Sequence, residues 1–202
     1  MFDLGGVIMD IRRENAVEAL TKLGMEDADR LLGNYGQHGI FLKLEEGTVS
    51  VDEFHDEVRK FFPEGRQDIT DKQIDDAFMK FLIGIPVHRL RTLERLHKSY
   101  GIYLLSNTNI IMWNGEIKKA FEEDGHDINY YFDGIVTSFE AHYNKPDDGI
   151  FEYAIKTLGI DPRETLFLDD STKNLEASEK FGFQTLHVST DSEFENLLKC
   201  RL

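Results

Sequence analysis

The side chain best placed for chemistry in this sequence is Asp3, which follows the apolar pair Met1–Phe2 and closely precedes Gly5 and Gly6. The pattern predicts a strand that ends in a tight loop, where backbone N–H groups can surround an anion. A carboxylate at such a point could attack phosphorus and form an acyl-phosphate, which divides one difficult displacement into two easier ones. A single aspartate is more often a turn or cap residue, so the inference needs other segments.

Three further polar segments lie at or near the ends of apolar runs that are typical of strands. In an open parallel sheet, ligands bind outside the carboxyl ends of the strands, so such a sheet would bring these segments close to Asp3. Each segment alone is more often an ordinary loop or a helix cap, and the prediction rests on the ordered set. The segments are Ser106–Asn107, Lys145–Pro146 and Asp169–Asp170.

The acidic residues of this set suit a magnesium ion. Mg²⁺ prefers oxygen ligands and often takes one or two carboxylates together with waters and phosphate oxygens. Asp3 and Asp170 could supply the carboxylates, and the backbone carbonyl of Gly5 could supply a third ligand. We expect Asp169 and Asn174 to orient these ligands through hydrogen bonds and not to bind the ion themselves.

The remaining polar residues suit the phosphoryl group itself. Lys145 could hold a transferring phosphoryl oxygen with its ammonium group, and Ser106 and the N–H of Asn107 could hold others. These contacts would reduce the repulsion between a carboxylate nucleophile and its anionic target. The sequence therefore predicts a catalytic role for Lys145 as well as for Asp3.

The elements that would position these residues alternate along the chain after about residue 85. Four short apolar runs have the composition of buried strands, and helix-like stretches such as Ile150–Leu158 and Asn174–Phe181 lie between them. This alternation predicts a doubly wound parallel sheet with helices on both faces. The four runs are Ile102–Leu105, Gly134–Thr137, Thr165–Leu168 and Phe183–Val188.

Residues 14–85 differ, since they show several helical signals and no convincing strand. Ser50–Glu53 and Thr70–Gln73 have the sequence of capping boxes, each followed by an amphipathic run. We expect a helical insertion that lies over the carboxyl end of the first strand; the alternative is that these helices belong to the main core. The Glu45–Glu46 pair either faces the site or is solvated, and the solvated pair is the preferred interpretation.

The bulk composition excludes some functions. The 202 residues carry a net charge of -15, which argues against nonspecific nucleic-acid binding. No apolar run approaches the length of a membrane span, and no export signal is evident. The lone Cys200 cannot form an internal disulfide, which fits a reducing cytoplasm. We expect a cytoplasmic monomer or homodimer whose partner is a small phosphorylated metabolite.

The four segments together resemble the motifs of the haloacid dehalogenase-like hydrolase superfamily, in the same order and with similar spacing. The resemblance covers nearly the whole chain, and the long gap between the first two motifs resembles members with a helical cap inserted there. The nearest branch is similar to the small sugar-phosphate phosphatases, including the α-D-glucose-1-phosphate phosphatases. The motif segments are Phe2–Val7, Leu104–Asn107, Lys145–Pro146 and Phe167–Ser171.

This resemblance implies an α/β, Rossmann-like core of residues 1–13 and 86–202, with a helical cap of residues 14–85. It also implies a Mg²⁺-dependent phosphatase for a small phosphorylated metabolite, with Asp3 as the nucleophile and with Asp3 and Asp170 holding the ion. Two alternatives stay open: a 2-haloacid dehalogenase, which needs no metal because its leaving group is halide, and a phosphometabolite-binding protein without turnover. The Asp169–Asp170 pair favours the phosphatase.

Two features depart from the pattern of this superfamily. Most of its phosphatases have a second aspartate two residues after the nucleophile as a general acid, and Gly5 occupies that position here. General acid catalysis contributes about 10² to 10⁴ in rate, so we expect an enzyme that favours good leaving groups, such as anomeric phosphates, or that borrows an acid from the substrate or the cap. Related chains also have several apolar residues before the nucleophile, and we expect the true start to lie upstream of Met1.

Overall fold

A central parallel sheet carries the predicted site residues at the ends of its strands. The computed structural model describes residues 1–33, 37–66, 68–189 and 192–199, so Cys200 lies outside the described residues. The pairs β3–β4 and β5–β6 are each parallel, with the strands numbered in chain order. The strands are β1 (Asp10–Ile11), β2 (Leu82–Gly84), β3 (Tyr103–Ser106), β4 (Gly134–Thr137), β5 (Leu166–Asp169) and β6 (Gln184–His187).

Residues 1–3 fill the middle of this sheet and join its two halves. Phe2 forms parallel bridges to Leu104 on β3 and to Leu168 on β5. The N–H of Phe2 donates to a β3 carbonyl at 2.8 Å, and the N–H of Asp3 donates to the Leu168 carbonyl at 2.8 Å. The resulting order, β6–β5–residues 1–3–β3–β4, confirms the predicted parallel sheet and sets Asp3 at the point where the segment leaves it.

Short helices occupy much of the chain between β1 and β2. Both predicted capping boxes form: the Ser50 hydroxyl accepts from the N–H of Glu53 at 3.2 Å, and the Thr70 hydroxyl accepts from the N–H of Gln73 at 3.3 Å. Each such cap stabilises its helix by about 1 kcal/mol. The helices are α1 (Arg13–Leu23), α2 (Ala28–Leu31), α3 (Gly39–Glu45), α4 (Val51–Arg59) and α5 (Asp71–Phe78), and a 3-10 turn follows at Met79–Phe81.

Three buried phenylalanines join α3, α4 and α5. The ring of Phe41 on α3 meets Phe54 on α4 and Phe78 on α5 edge to face, with centroids 5.1 Å and 4.9 Å apart. Such aromatic pairs contribute about 0.5–1.5 kcal/mol each beyond the burial of their area. The amphipathic faces read from the sequence therefore pack on one another and hold the end of α3 in place.

The remaining helices cover both faces of the sheet. Neighbouring strand residues point to opposite faces, and Leu104 accordingly packs into one buried apolar cluster and Leu105 into the other. No helix in the described parts of the chain has the length and apolar composition that crossing a membrane requires. The helices are α6 (Val87–His97), α7 (Ile110–Met112), α8 (Lys118–Glu122), α9 (Ser138–Ala141), α10 (Asp148–Leu158), α11 (Thr172–Glu179) and α12 (Phe194–Leu198).

Strands β1 and β2 form an antiparallel pair at the two ends of the helical insertion. The expectation of no strand within residues 14–85 was wrong at β2, because a three-residue strand is too short to show a period-2 pattern. Arg89 on α6 is buried and donates to the Asp10 carboxylate at 2.7 Å, which fixes β1 against the core. The boundaries of core and cap given by the sequence stay a prediction.

Candidate active site

A cavity of about 190 Å³ lies where residues 1–3, β3 and β5 end, and the last residue of α3 contributes to its wall. It brings together every residue that the sequence singled out for the site except Asp169, which lies behind it. A larger cavity of about 500 Å³ opens at the other end of the strands and contains none of the predicted site residues. The smaller cavity is lined by Asp3, Gly5, Ser106, Asn107, Lys145, Asp170 and Asn174 of the predicted set, and by Gln37 and Glu45 from the helical insertion.

Lys145 is the buried cation of the site. Its ammonium nitrogen lies 2.7 Å from the Asp3 Oδ1 and 2.7 Å from the Asp169 Oδ2, and it donates to the Leu105 carbonyl at 3.0 Å. Burial alone would lower the pKa of Lys145, but the attraction of Asp169 and Asp3 outweighs it and raises the pKa. Lys145 is therefore protonated at neutral pH, and its three bonds fix the direction of the ammonium group.

Asp169 is fully buried, and its carboxylate is surrounded by donors. Besides the bond from Lys145, it accepts from the Asn174 side-chain amide at 3.0 Å and from the Ser171 N–H at 2.8 Å. A carboxylate with this many partners has little capacity left for a further ligand. Its geometry supports the expectation that Asp169 and Asn174 orient Lys145 from behind.

Asp3 and Asp170 offer the remaining carboxylates. Asp3, Asp169 and Asp170 form a group whose ligand oxygens lie within 4.8 Å of one another, and because Asp169 is saturated, the other two have room for an ion. Burial raises the pKa of Asp3 to about 7 against the opposing attraction of Lys145, and burial followed by repulsion from Asp169 raises the pKa of Asp170. Charge crowding of this kind favours a bound cation, and an all-oxygen donor set fits Mg²⁺.

The loop that follows Asp3 packs tightly against the Asp170 side chain at Gly6. Gly6 has φ +75°, and a β-carbon there would lie 2.5 Å from the Asp170 Oδ2. Gly5 is different, since a β-carbon would meet the Ile11 side chain of β1 at 3.2 Å. A side chain at position 5 would thus crowd β1, while one at position 6 would displace a carboxylate of the site.

The side chain of Asn107 has a role that the sequence did not predict. Its side-chain amide donates to the Lys145 carbonyl at 2.9 Å, and its Oδ1 accepts from the Lys145 N–H at 2.8 Å. The paired bonds join the segment after β3 to the segment that carries the cation. The side chain of Asn107 therefore positions Lys145, while its backbone N–H and the buried Ser106 stay the predicted phosphate donors.

Glu45 reaches the cavity from the helical insertion. The preferred interpretation of Glu45 and Glu46 as a solvated pair was wrong for Glu45, which is half-buried at the end of α3 and lines the cavity. Burial, and then repulsion from Glu46, raises the pKa of the Glu45 carboxyl to about 8. The sequence placed the pair before Gly47 but contained no signal for the direction in which either side chain points.

Three contacts hold the end of α3 against the core. The Ser138 hydroxyl donates to the Glu45 backbone carbonyl at 2.7 Å, and the His142 Nδ1 lies 2.9 Å from the Glu46 carbonyl. Gly47 has φ +62°, and a β-carbon there would overlap the carbonyl oxygen of Phe139. Sequence analysis missed these contacts, since Ser138 and His142 are ordinary residues until α3 docks on them.

The arrangement combines a carboxylate next to a buried ammonium group, a second carboxylate that can share an ion, and a half-buried acid from the helical insertion. A carboxylate nucleophile that must approach an anion needs nearby positive charge, which Lys145 supplies directly. The same set of groups suits acyl-phosphate chemistry.

Comparison with known proteins agrees with this chemistry. The sequence matches the haloacid dehalogenase-like hydrolase family over residues 1–182. It is 37% identical over 198 residues to the D-ribitol-5-phosphate phosphatase of Bacteroides thetaiotaomicron, a match that covers 98% of this chain and 95% of the relative.

Two solved structures are similar over almost their whole length. A haloacid dehalogenase-family enzyme from Bacteroides thetaiotaomicron, in complex with magnesium and inorganic phosphate, has a TM-score of 0.89 and 35% identity, covering 97% of this chain and 96% of that one. A HAD-like family hydrolase from Porphyromonas gingivalis has a TM-score of 0.90 and 30% identity, covering 99% and 95%. The resemblance read from the four motifs is confirmed, and the chain belongs to the haloacid dehalogenase-like hydrolases.

Proposed function

We propose that this protein is a Mg²⁺-dependent phosphatase that hydrolyses a small sugar or polyol phosphate through an aspartyl-phosphate on Asp3. The observation that carries the proposal is the convergence of Asp3, Lys145 and Asp170 on one cavity at the ends of the strands. The similarity to a D-ribitol-5-phosphate phosphatase and to an enzyme crystallised with magnesium and phosphate supports it.

In the first step the phosphoryl group is transferred to Asp3, and each site residue has a separate role. Lys145 holds one oxygen of Asp3 at 2.7 Å, which orients the carboxylate and leaves its other oxygen to attack phosphorus or to bind an ion. Mg²⁺, held by Asp3, Asp170 and the Gly5 carbonyl, would neutralise charge on the phosphoryl group. Ser106 and the N–H of Asn107 would bind the other phosphoryl oxygens.

The second step regenerates the enzyme. Water attacks the phosphorus of the aspartyl-phosphate, the bond between Asp3 and phosphorus breaks, and phosphate leaves. Because Lys145 is held by Asp169 as well as by Asp3, its ammonium group stays in place through both steps. The proposal therefore predicts that Lys145 changes the rate of both transfers.

The cavity suits a small, hydroxylated substrate. Its volume of about 190 Å³ is that of a small metabolite rather than of a polymer. Gln37 from the helical insertion lines the cavity, and its buried Oε1 has no hydrogen-bond partner. An unpaired buried acceptor is costly, and a substrate hydroxyl would satisfy it.

Hydrolysis of para-nitrophenyl phosphate, with and without Mg²⁺, tests the proposal in the wild type and in Asp3→Asn. We expect Mg²⁺-dependent turnover in the wild type that falls by at least about 10³-fold in the variant, because the nucleophile is lost. Circular dichroism would check that Asp3→Asn is folded. Turnover that survives the substitution or the removal of metal would refute the proposal, and release of halide from a 2-haloacid would establish the dehalogenase instead.

A panel of sugar and polyol phosphates, which includes D-ribitol 5-phosphate and α-D-glucose 1-phosphate, would then rank the substrates by kcat/KM. We expect a small phosphorylated sugar or polyol to be preferred over nucleotides, since the net charge of -15 and the small cavity disfavour larger anions.

A further inference from the structure

Hydrolysis of an alkyl phosphate needs a proton for the leaving oxygen, and the loop after Asp3 offers none. Gly5 occupies the position of the second aspartate that most phosphatases of the superfamily use, and a β-carbon there would already press on Ile11. The relative that is 37% identical is named for D-ribitol 5-phosphate, whose leaving group is a poorly acidic primary alcohol. A substrate of this kind requires a proton donor from another element.

On the basis of the proposed phosphatase function, we propose that Glu45, at the end of α3, is this proton donor. Its side chain lines the same cavity as Asp3, Lys145 and Asp170, and it comes from the helical insertion rather than from the end of a strand. A nucleophile and a leaving-group acid must flank the phosphorus from opposite sides for an in-line displacement.

The position of Glu45 is fixed by its backbone rather than by its carboxyl group. The Ser138 hydroxyl holds the Glu45 carbonyl at 2.7 Å, His142 holds the next carbonyl, and Gly47 packs on Phe139 without room for a side chain. No hydrogen bond or ion pair to the Glu45 carboxyl occurs within the described residues. The backbone that carries this side chain is therefore fixed, and the carboxyl itself is not engaged in a structural bond.

The surroundings of Glu45 favour its protonated form. Burial has the largest effect, repulsion from Glu46 and Asp3 acts in the same direction, and attraction to Lys145 opposes it, with the net result that the pKa of Glu45 is raised to about 8. Glu45 is also the last residue of α3, where the negative end of the helix dipole disfavours a second negative charge. A carboxylic acid that keeps its proton near neutral pH can give it to an alkoxide.

Asp3, Glu45 and one water molecule supply every bond and proton that the reaction needs. An oxygen of Asp3 forms a bond to phosphorus, the bond from phosphorus to the substrate oxygen breaks, and its electron pair takes the proton of Glu45 to release an alcohol. Glu45, now a carboxylate, accepts a proton from the water that attacks the aspartyl-phosphate. The products are alcohol and phosphate, and Glu45 ends the cycle protonated as it began.

The test compares two leaving groups in Glu45→Gln, with Glu26→Gln as the matched control. Nitrophenolate leaves without a proton, whereas the alkoxide of a polyol phosphate does not. We expect Glu45→Gln to lose about 10² to 10⁴ in kcat/KM on the best alkyl phosphate of the panel, and less than about threefold on para-nitrophenyl phosphate. Glu26→Gln, in which an exposed side chain of the helical insertion outside the cavity is changed, should keep both activities within about threefold.

Two readouts separate proton donation from a structural effect. The slope of log kcat against the pKa of the leaving alcohol should become steeper in Glu45→Gln, and the alkaline limb of the wild-type pH profile should disappear for alkyl substrates. Equal losses on both kinds of substrate, or no loss on alkyl phosphates, would overturn the role of Glu45 while leaving the phosphatase intact. Failure of the wild type to hydrolyse any substrate would overturn the proposed function, and the role of Glu45 with it.

Discussion

Gly6 and Asp170 approach each other so closely that a β-carbon on Gly6 would lie 2.5 Å from an oxygen of the Asp170 carboxylate. The contact joins the loop that follows Asp3 to the loop that follows β5, and it requires both the missing side chain and the φ of +75° at Gly6. The spacing between the two carboxylates of the proposed ion site is therefore set by a residue that contributes no ligand.

Gly6→Ala is expected to reduce activity by more than its effect on stability explains. The left-handed conformation costs a residue with a side chain about 1–2 kcal/mol, and at position 6 the methyl group must also push Asp170 aside. Gly125→Ala is the matched control, since Gly125 has φ +88° and nothing lies within 4 Å of its β-carbon position. Thermal melting should show a loss in both variants that is larger in Gly6→Ala, while kcat/KM should fall by at least about tenfold only in Gly6→Ala. Similar activities in the two variants would contradict the close contact.

Lys145→Met should both unfold more easily and lose turnover. The substitution leaves Asp3 and Asp169 buried without their shared cation, and breaking a buried pair in this way costs about 3–5 kcal/mol. Urea denaturation would measure the free energy of unfolding, with Lys156→Met on the exposed face of α10 as the control. A variant as stable as the wild type would show that Lys145 does not carry the charge balance of the site.

Asp170→Asn should raise the Mg²⁺ concentration that turnover requires, while turnover persists when Mg²⁺ is in excess. The variant keeps the shape of the side chain but removes a charged oxygen ligand. We expect the Mg²⁺ concentration for half-maximal hydrolysis of para-nitrophenyl phosphate to rise by about 10-fold or more, with Asp68→Asn in the helical insertion unchanged. An unaltered Mg²⁺ titration would exclude Asp170 as a ligand.

Glu193 should stabilise the protein in a pH-dependent way. Hydrogen bonds from Arg89 at 2.9 Å and 3.0 Å lower the pKa of Glu193 to about 2 from 4.5. Because the folded-state pKa is depressed, the contribution is complete above pH 4.5 and is lost as the pH falls towards 2. Glu193→Gln should therefore lower the Tm at pH 7 by about 2–4 °C, and the difference should shrink to nothing near pH 2. A Tm difference that is constant with pH would mean that packing, not charge, is responsible.

The sequence predicted those features that depend on local patterns. Asp169 and Ser106 follow short apolar runs, and the parallel-sheet rule brings such residues to one edge, as the structure shows. Ser50 and Thr70 begin helices because each has its partner three residues later. These signals lie within a few residues of the element that they specify.

The features that the sequence did not predict depend on contacts between distant segments. The direction of Glu45 follows from the docking of α3 on Ser138, which lies 93 positions further on. Strand β2 is stabilised by its pairing with β1. Its three residues are too few to show the alternating pattern of a strand in the sequence. The bond from the Asn107 side chain to Lys145 likewise becomes visible only when β3 and the Lys145 segment are neighbours.

The place of residues 1–3 in the middle of the sheet has a consequence for how the molecule assembles. Met1 donates to the Leu166 carbonyl, 165 positions along the chain, so residues 1–3 precede both of their neighbouring strands in the sequence and gain the second neighbour only when β5 has been synthesised. Contacts between such distant residues form slowly. Until residues 1–3 insert between them, β3 and β5 have unpaired edges of the kind that invite association with other chains. Asp3, on which the proposed chemistry depends, is therefore made before β3 and β5 and reaches its final surroundings only after both strands have formed.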